Sequence, residues 1–238
     1  MNKNKYIKES FLKLQIELSE IQVEQFIDYF DLLIEKNKLM NLTAITEFED
    51  VVLKHFLDSV LICKVVDMSQ FKKGIDVGTG AGFPGIPLKI VFPWLDMVLL
   101  DSLNKRISFL DEVICKCNLF HVKTIHGRAE ELAQISEYRE KFDICFSRAV
   151  ANLSTLSELC IPFVKENGCF VSYKSDIIES EIEMAANAIN LVGGKIDKVS
   201  EVILPDTEIK RKILFFLKEK MTPGKYPRRA GIPSKKPL

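Results

Sequence analysis

Histidine and tryptophan are scarce in this chain, three and one among 238 residues, and long apolar runs are missing altogether. No uninterrupted apolar stretch approaches the roughly 18–20 residues that a membrane-spanning helix needs. The first eight residues, Met-Asn-Lys-Asn-Lys-Tyr-Ile-Lys, have neither the apolar core nor the small-residue cleavage site of a secretory signal. A cytoplasmic protein without a membrane partner is expected. The three histidines, at 55, 121 and 126, form no metal-ligand cluster with the cysteines, and the six cysteines, at 63, 115, 117, 145, 160 and 169, fall mostly in apolar segments. Cys115 and Cys117 are the only close pair, and a single intervening residue is not the usual zinc or redox spacing. No metal is expected, and the thiols should be reduced and mostly buried.

The formal net charge of zero conceals an asymmetry. From Lys210 onward there are ten Lys/Arg against one acid, Glu219, leaving the preceding residues with 23 bases and 32 acids. A basic end on an acidic body fits a polyanionic partner, although a charge run alone can be no more than a solvated tail.

Residues 1–68 hold no convincing strand. Ile21, Phe26, Phe30, Leu33 and Ile34 approximate a helical stripe, and Thr46-Glu-Phe-Glu49 fits a capping box opening a helix through Leu61. From Phe71 short apolar runs alternate with helical stretches. Strands are expected at 73–77, 97–100, 121–125, 142–147 and 169–173, with helices from Pro84, at 104–117, 153–164 and 177–189, and a short one after Gly127. Runs at 201–204 and 213–217 follow each other as a hairpin. This is an α/β pattern: a mixed seven-stranded sheet, largely parallel, with helices on both faces and a helical N-terminal extension. Three segments are expected, a helical region at 1–68, the sheet domain at 69–220 and a basic tail at 221–238. The tail, Thr222-Pro-Gly-Lys-Tyr-Pro-Arg-Arg-Ala-Gly-Ile-Pro-Ser-Lys-Lys-Pro-Leu238, has too many prolines and glycines for a helix and should be extended.

The most informative stretch is Gly74-Ile-Asp76-Val-Gly78-Thr-Gly80-Ala-Gly82-Phe83-Pro84-Gly85. Glycines at alternate positions after a strand let the backbone approach a ligand with no Cβ in the way. A phosphate loop would need Lys-Ser/Thr after its second glycine, and Ile86-Pro87 stands there instead. The dinucleotide fingerprint needs a glycine where Phe83 stands. Three glycines at 78, 80 and 82 with an acid at 76 match the S-adenosylmethionine loop of class I methyltransferases. The charges agree: a pyrophosphate is repelled by a nearby carboxylate, whereas a sulfonium and an ammonium are helped by Asp76, directly or through water. Asp101 ends the second strand, where it could accept from ribose hydroxyls.

With these residues the chain resembles the RsmG (GidB, glucose-inhibited division protein B) family of bacterial 16S rRNA methyltransferases. The resemblance is carried by Asn41-Leu-Thr43, His55-Phe-Leu-Asp58-Ser59, the run from Asp76 to Pro87, Gly127-Arg-Ala-Glu-Glu131, Ser147-Arg-Ala149 and the Lys/Arg/Pro tail. It runs in the family's order from residue 41 to the C-terminus, with Phe83 where some members carry leucine. It implies a class I (Rossmann-like) methyltransferase fold. It also implies methyl transfer from S-adenosylmethionine to N7 of a guanine, position 527 in the 530 loop of 16S rRNA, on the free RNA or a 30S particle. Gly78, Phe83, Ala129, Glu130 and Arg148 would line the cofactor pocket, joining Asp76, Gly80 and Asp101.

The remaining residues agree with that chemistry. Guanine N7 has an exposed lone pair and loses no proton on methylation, so alignment suffices and no base is needed. No Asn/Asp-Pro-Pro-aromatic motif for amine methylation follows the fourth strand; Ser147-Arg148-Ala149-Val150 stands there. Cys145 and Cys160, in a strand and a helix, are poorly placed as nucleophiles. Arg148, at a strand's C-terminal end, is either a structural ion pair with Glu130 or Asp101 or a contact to cofactor or guanine. The resemblance favours the second and makes Arg148 the candidate catalytic residue. His55 and Asp58 read as core contacts on spacing and as substrate-side groups by resemblance. RNA affinity should come from phosphates, held by Lys225, Arg228, Arg229, Lys235 and Lys236, so losing the tail should harm RNA methylation far more than cofactor binding. A monomer is the default. A small-molecule methyltransferase and a non-catalytic RNA-binding protein that keeps S-adenosylmethionine as a structural ligand remain the alternatives.

Overall fold

Apolar runs buried on both faces form the parallel strands, as that arrangement requires. The computed structural model describes residues 2–148, 151–174 and 179–238. Ala149 and Val150, after Arg148, and Ile177, where a helix was expected to start, lie outside the described residues. The strands are β1 (Lys73–Val77), β2 (Asp96–Asp101), β3 (Val122–His126), β4 (Phe142–Arg148), β5 (Val164–Lys174), β6 (Gly194–Ile203) and β7 (Lys210–Lys218). They form one seven-stranded sheet in the order β3-β2-β1-β4-β5-β7-β6. β1 to β5 run parallel, and the β6–β7 hairpin adds antiparallel to β5. The expected mixed sheet therefore forms. Its strand order reverses between β1 and β4, and an open α/β sheet receives ligands at the C-terminal ends of the strands at such a point.

The helices are α1 (Lys3–Leu12), α2 (Glu20–Met40), α3 (Phe48–Val51), α4 (Asp58–Val60), α5 (Gly85–Val91), α6 (Asn104–Lys116), α7 (Ala129–Leu132), α8 (Leu153–Cys160), α9 (Glu179–Leu191) and α10 (Ile232–Lys235). α1 to α4 share one apolar core with α5, α6 and one sheet face. The opposite face is covered by α7, α8 and α9, with Tyr226 of the tail buried among them. Within the expected stripe Phe26, Phe30 and Leu33 are buried, but Ile21 is 68 % exposed, because it lies on the opposite side of the helix from the buried Val23. The first turn of α2 is capped by Ser19, in a reciprocal box with Gln22.

Two expectations are corrected. Thr46 caps nothing: the helix starts at Phe48 with Glu47 at its N-cap and no side-chain capping bond. Between α3 and α4 the chain takes a π-helical turn, Val52–Leu57, which carries His55; such turns recur where side chains serve a site. The tail is not simply extended either. It contains α10 and is strapped to the body through backbone carbonyls, which proline and glycine still offer. Arg139 donates to the carbonyls of Thr222 (2.7 Å) and Tyr226 (2.9 Å). Arg228 forms a forked pair with the Glu158 carboxylate, at 2.9 and 2.7 Å, and Glu158 is fully buried.

Removing one partner of a buried ion pair strands the other. Arg228→Met should therefore lower stability by about 3 kcal/mol, read as a drop in the urea midpoint; an unchanged midpoint would show the tail undocked in solution.

Candidate functional site

The turn after β1 is held from behind by one carboxylate. Asp76 Oδ2 accepts the Thr79 hydroxyl at 2.7 Å and the Gly85 amide at 2.9 Å. Gly78, Gly80 and Gly82 all have positive φ, at 72°, 63° and 102°, the left-handed region open to glycine at little cost. A Cβ on Gly82 would also lie 2.7 Å from Ile86 and 2.8 Å from the Tyr29 hydroxyl. Tyr29, on α2, donates that hydroxyl to the Ala81 carbonyl at 2.5 Å, so the N-terminal helices grip the same turn.

The turn forms one side of a cleft of about 510 Å³ that brings together Gly78, Gly80, Phe83, Asp101, Ala129, Glu130 and Arg148. Thr43, His55, Arg106 and Ser234 line it as well. Asp76 does not reach it. Asp76 is fully buried behind the turn, its Oδ1 has no hydrogen-bond donor, and burial pushes its carboxyl up to about 6. Asp101 accepts from the Gly80 amide, the Leu103 amide and Arg106 at 2.9, 2.9 and 3.2 Å. A carboxylate has about four acceptor positions, which leaves one for a ligand hydroxyl. An orphaned oxygen behind the glycines and two carboxylates in the wall, Asp101 and Glu130, suit a cationic ligand that carries hydroxyls.

Arg148 closes the other end, and its ion-pair partner is neither Glu130 nor Asp101. Its NH1 donates to Asp58 Oδ2 at 3.0 Å, and Arg211 Nε of β7 donates to Asp58 Oδ1 at 2.7 Å. Its NH2 lies 3.3 Å from His55 Nδ1. A guanidinium has only protons to give, so Nδ1 accepts and the His55 proton resides on Nε2, which donates to Thr43 Oγ1 at 2.7 Å. The Phe83 ring stacks on His55 at 4.5 Å, and the Arg148 guanidinium lies 5.0 Å from its centre. Burial first, and the Arg148 charge second, lower His55 to about 4. His55 and Asp58, core contacts on spacing alone, are thus the supports of Arg148. Thr43 and Arg211 carry no role in the sequence reading. Asn41-Leu-Thr43 was a hint for the first; the partner of Arg211 lies 153 residues away, with no local signal.

Of the five tail cations, Lys225, Arg229, Lys235 and Lys236 are exposed, whereas Arg228 is committed to Glu158. All six cysteines are free, and among the described residues no group of three or more His, Cys, Asp or Glu could hold a metal ion. No described helix is long and apolar enough to cross a membrane.

Residues 22–210 match the family model described as rRNA small subunit methyltransferase G. The chain belongs to that family. The ribosomal RNA small subunit methyltransferase G of Lachnoclostridium phytofermentans is 49 % identical over 100 % of this chain and 98 % of its own. Those of Clostridium novyi and Alkaliphilus metalliredigens are 48 % identical over 94 % of this chain and 93 % of theirs, and 47 % identical over 100 % of both. Among solved structures, a point mutant of MtNAS in complex with S-adenosylmethionine aligns at a TM-score of 0.55 and 13 % identity, covering 91 % of this chain and 78 % of that one. A SAM-dependent O-methyltransferase of Thermotoga maritima aligns at 0.51 and 14 % identity, covering 80 % and 72 %. These likenesses show the fold, that of a class I Rossmann-like methyltransferase.

His55 and Asp76 pull stability in opposite directions across one pH window. The lowered His55 loses stability as pH falls from about 6.5 toward 4, while the raised Asp76 loses it as pH rises through about 6. A site-resolved measurement is therefore needed. In an imidazole NMR titration His55 should titrate near 4, and Arg148→Ala should move it upward; a His55 midpoint near 6.5 would contradict the buried, guanidinium-facing placement.

Proposed function

We propose that the protein transfers the methyl group of S-adenosylmethionine to N7 of a guanine in 16S rRNA, at position 527 in the 530 loop, acting as a cytoplasmic monomer. Family membership supports the rRNA substrate. One observation of the site supports the choice of N7: among the described residues, the basic groups around Arg148, and one oxygen of Glu130, are already engaged by donors. The His55 lone pair faces the Arg148 guanidinium, Asp58 is shared by two guanidiniums, and Glu130 Oε1 accepts the Gly231 amide. An acceptor that keeps all its protons suits such a site, whereas an amine or hydroxyl would need a base.

When bound, S-adenosylmethionine supplies an electrophilic methyl on a sulfonium. This chain's own residues bind, orient and exclude water. The glycine turn lets the backbone approach the ligand with no Cβ in the way, and Asp101 retains an acceptor position for a hydroxyl. Arg148, fixed by Asp58 and His55 and packed on Phe83, is the positioned cation at the end of β4, where the acceptor must approach. Asp76 acts through the turn that it holds, and the exposed Lys225, Arg229, Lys235 and Lys236 offer phosphate contacts. The helical region 1–68 and the tail 221–238 are here parts of the same site as the sheet domain.

Labelled methyl transfer to 16S rRNA tests the proposal. The parent should modify rRNA and not small acceptors, and Arg148→Ala should slow transfer by about a hundredfold with an unchanged far-ultraviolet spectrum. Unchanged turnover in that variant would reject the role given to Arg148.

A further inference from the structure

The tail's last turn is part of the cofactor cleft. Ser234 lines that cleft together with Glu130, and the Gly231 amide donates to Glu130 Oε1 at 2.8 Å. The turn is latched at two further points. The Thr155 hydroxyl of α8 donates to the Pro233 carbonyl at 3.0 Å, and Arg228 NH2 donates to the Lys236 carbonyl at 2.8 Å. The cations within and beside this turn, Arg229, Lys235 and Lys236, are exposed. One short segment thus carries cofactor-side groups and solvent-facing cations within a few residues of each other.

We infer that the C-terminal turn 231–235 is a wall common to the cofactor and RNA sites, so that RNA phosphates held by Arg229, Lys235 and Lys236 tighten the cofactor by fixing Ser234 and Glu130 in place. The inference rests on the proposed function and replaces the expectation that the tail serves RNA alone. A surface turn held by a few hydrogen bonds opens locally more easily than the sheet does. Each opening removes Ser234 from the wall and the Gly231 amide from Glu130. Phosphates that neutralise the three cations hold the turn closed, and the coupling is reciprocal: the cofactor tightens RNA by the same factor.

Calorimetric titration of adenosylhomocysteine into the full chain, with and without a 16S rRNA fragment bearing the 530 loop, reads the coupling. In the parent, RNA should lower the Kd about fivefold or more. Ser234→Trp, at an exposed position, should raise the Kd without RNA by about tenfold while leaving the ligand-free melting temperature unchanged. Thr155→Val, which removes the latch on the Pro233 carbonyl, should weaken adenosylhomocysteine without RNA and so raise the coupling factor above the parent's; a factor that stays at the parent's value would overturn the latch role of this bond. A parent that binds adenosylhomocysteine equally well with and without RNA, or a Ser234→Trp variant with the parent's Kd, would overturn the inference alone. A parent with no affinity for adenosylhomocysteine would overturn the proposed function together with it.

Discussion

Thr79 and Gly85 hang on a single buried oxygen of Asp76, and the shape of the cleft follows from that attachment. Gly85 can sit against the carboxylate only because it lacks a Cβ, which would lie 2.3 Å from Leu99 and 2.9 Å from Asp76 Oδ2. Between the two anchors the chain passes through two left-handed glycines, Gly80 and Gly82, with a third, Gly78, just before them, and the Gly80 amide turns to Asp101. The attachment has an electrostatic cost. Asp76 is fully buried with one oxygen unpartnered, and its carboxyl is accordingly raised to about 6. An unsatisfied buried acceptor is expensive to keep, and here it lies behind the ligand cleft, where negative potential favours a cationic cofactor.

The N-terminal helices complete this site from the other side. Tyr29 holds the Ala81 carbonyl and packs near Phe83 and Phe56. The π-helical turn presents His55, Asp58 follows it directly, and both reach Arg148 at the end of β4. A region that looks like an appendage in the sequence therefore lines the cleft through Thr43 and His55. The Asp58 carboxylate links it further to β7 through Arg211, so three distant segments meet on one side chain.

Much of this was legible in the sequence where the signal is local. The glycine spacing determines which backbone conformations are open, and strands that bring Asp76, Asp101 and Arg148 to or beside their C-terminal ends follow from short apolar runs between helical stretches. The hairpin was visible as two runs with no helix between them, although β6 begins seven residues before its expected start at 201 because its N-terminal half alternates weakly. The missed features depend on long-range pairing. Arg148 finds Asp58 across 90 residues, and Arg228 finds Glu158 across 70. A single acid within the apolar helix Leu153–Cys160 was the available hint for the second. The composition of the tail spoke for an extended, RNA-facing strand. Its carbonyls, invisible to composition, bind it to the body instead.

The proposed reaction modifies one nucleotide. The measurement that tests it most directly is mapping of modified bases in 16S rRNA from cells with and without this gene. A single guanine of the 530 loop should carry 7-methylguanine with the gene present and lack it without the gene. An identical modification pattern in both, or a loss at another base or another atom, would contradict it.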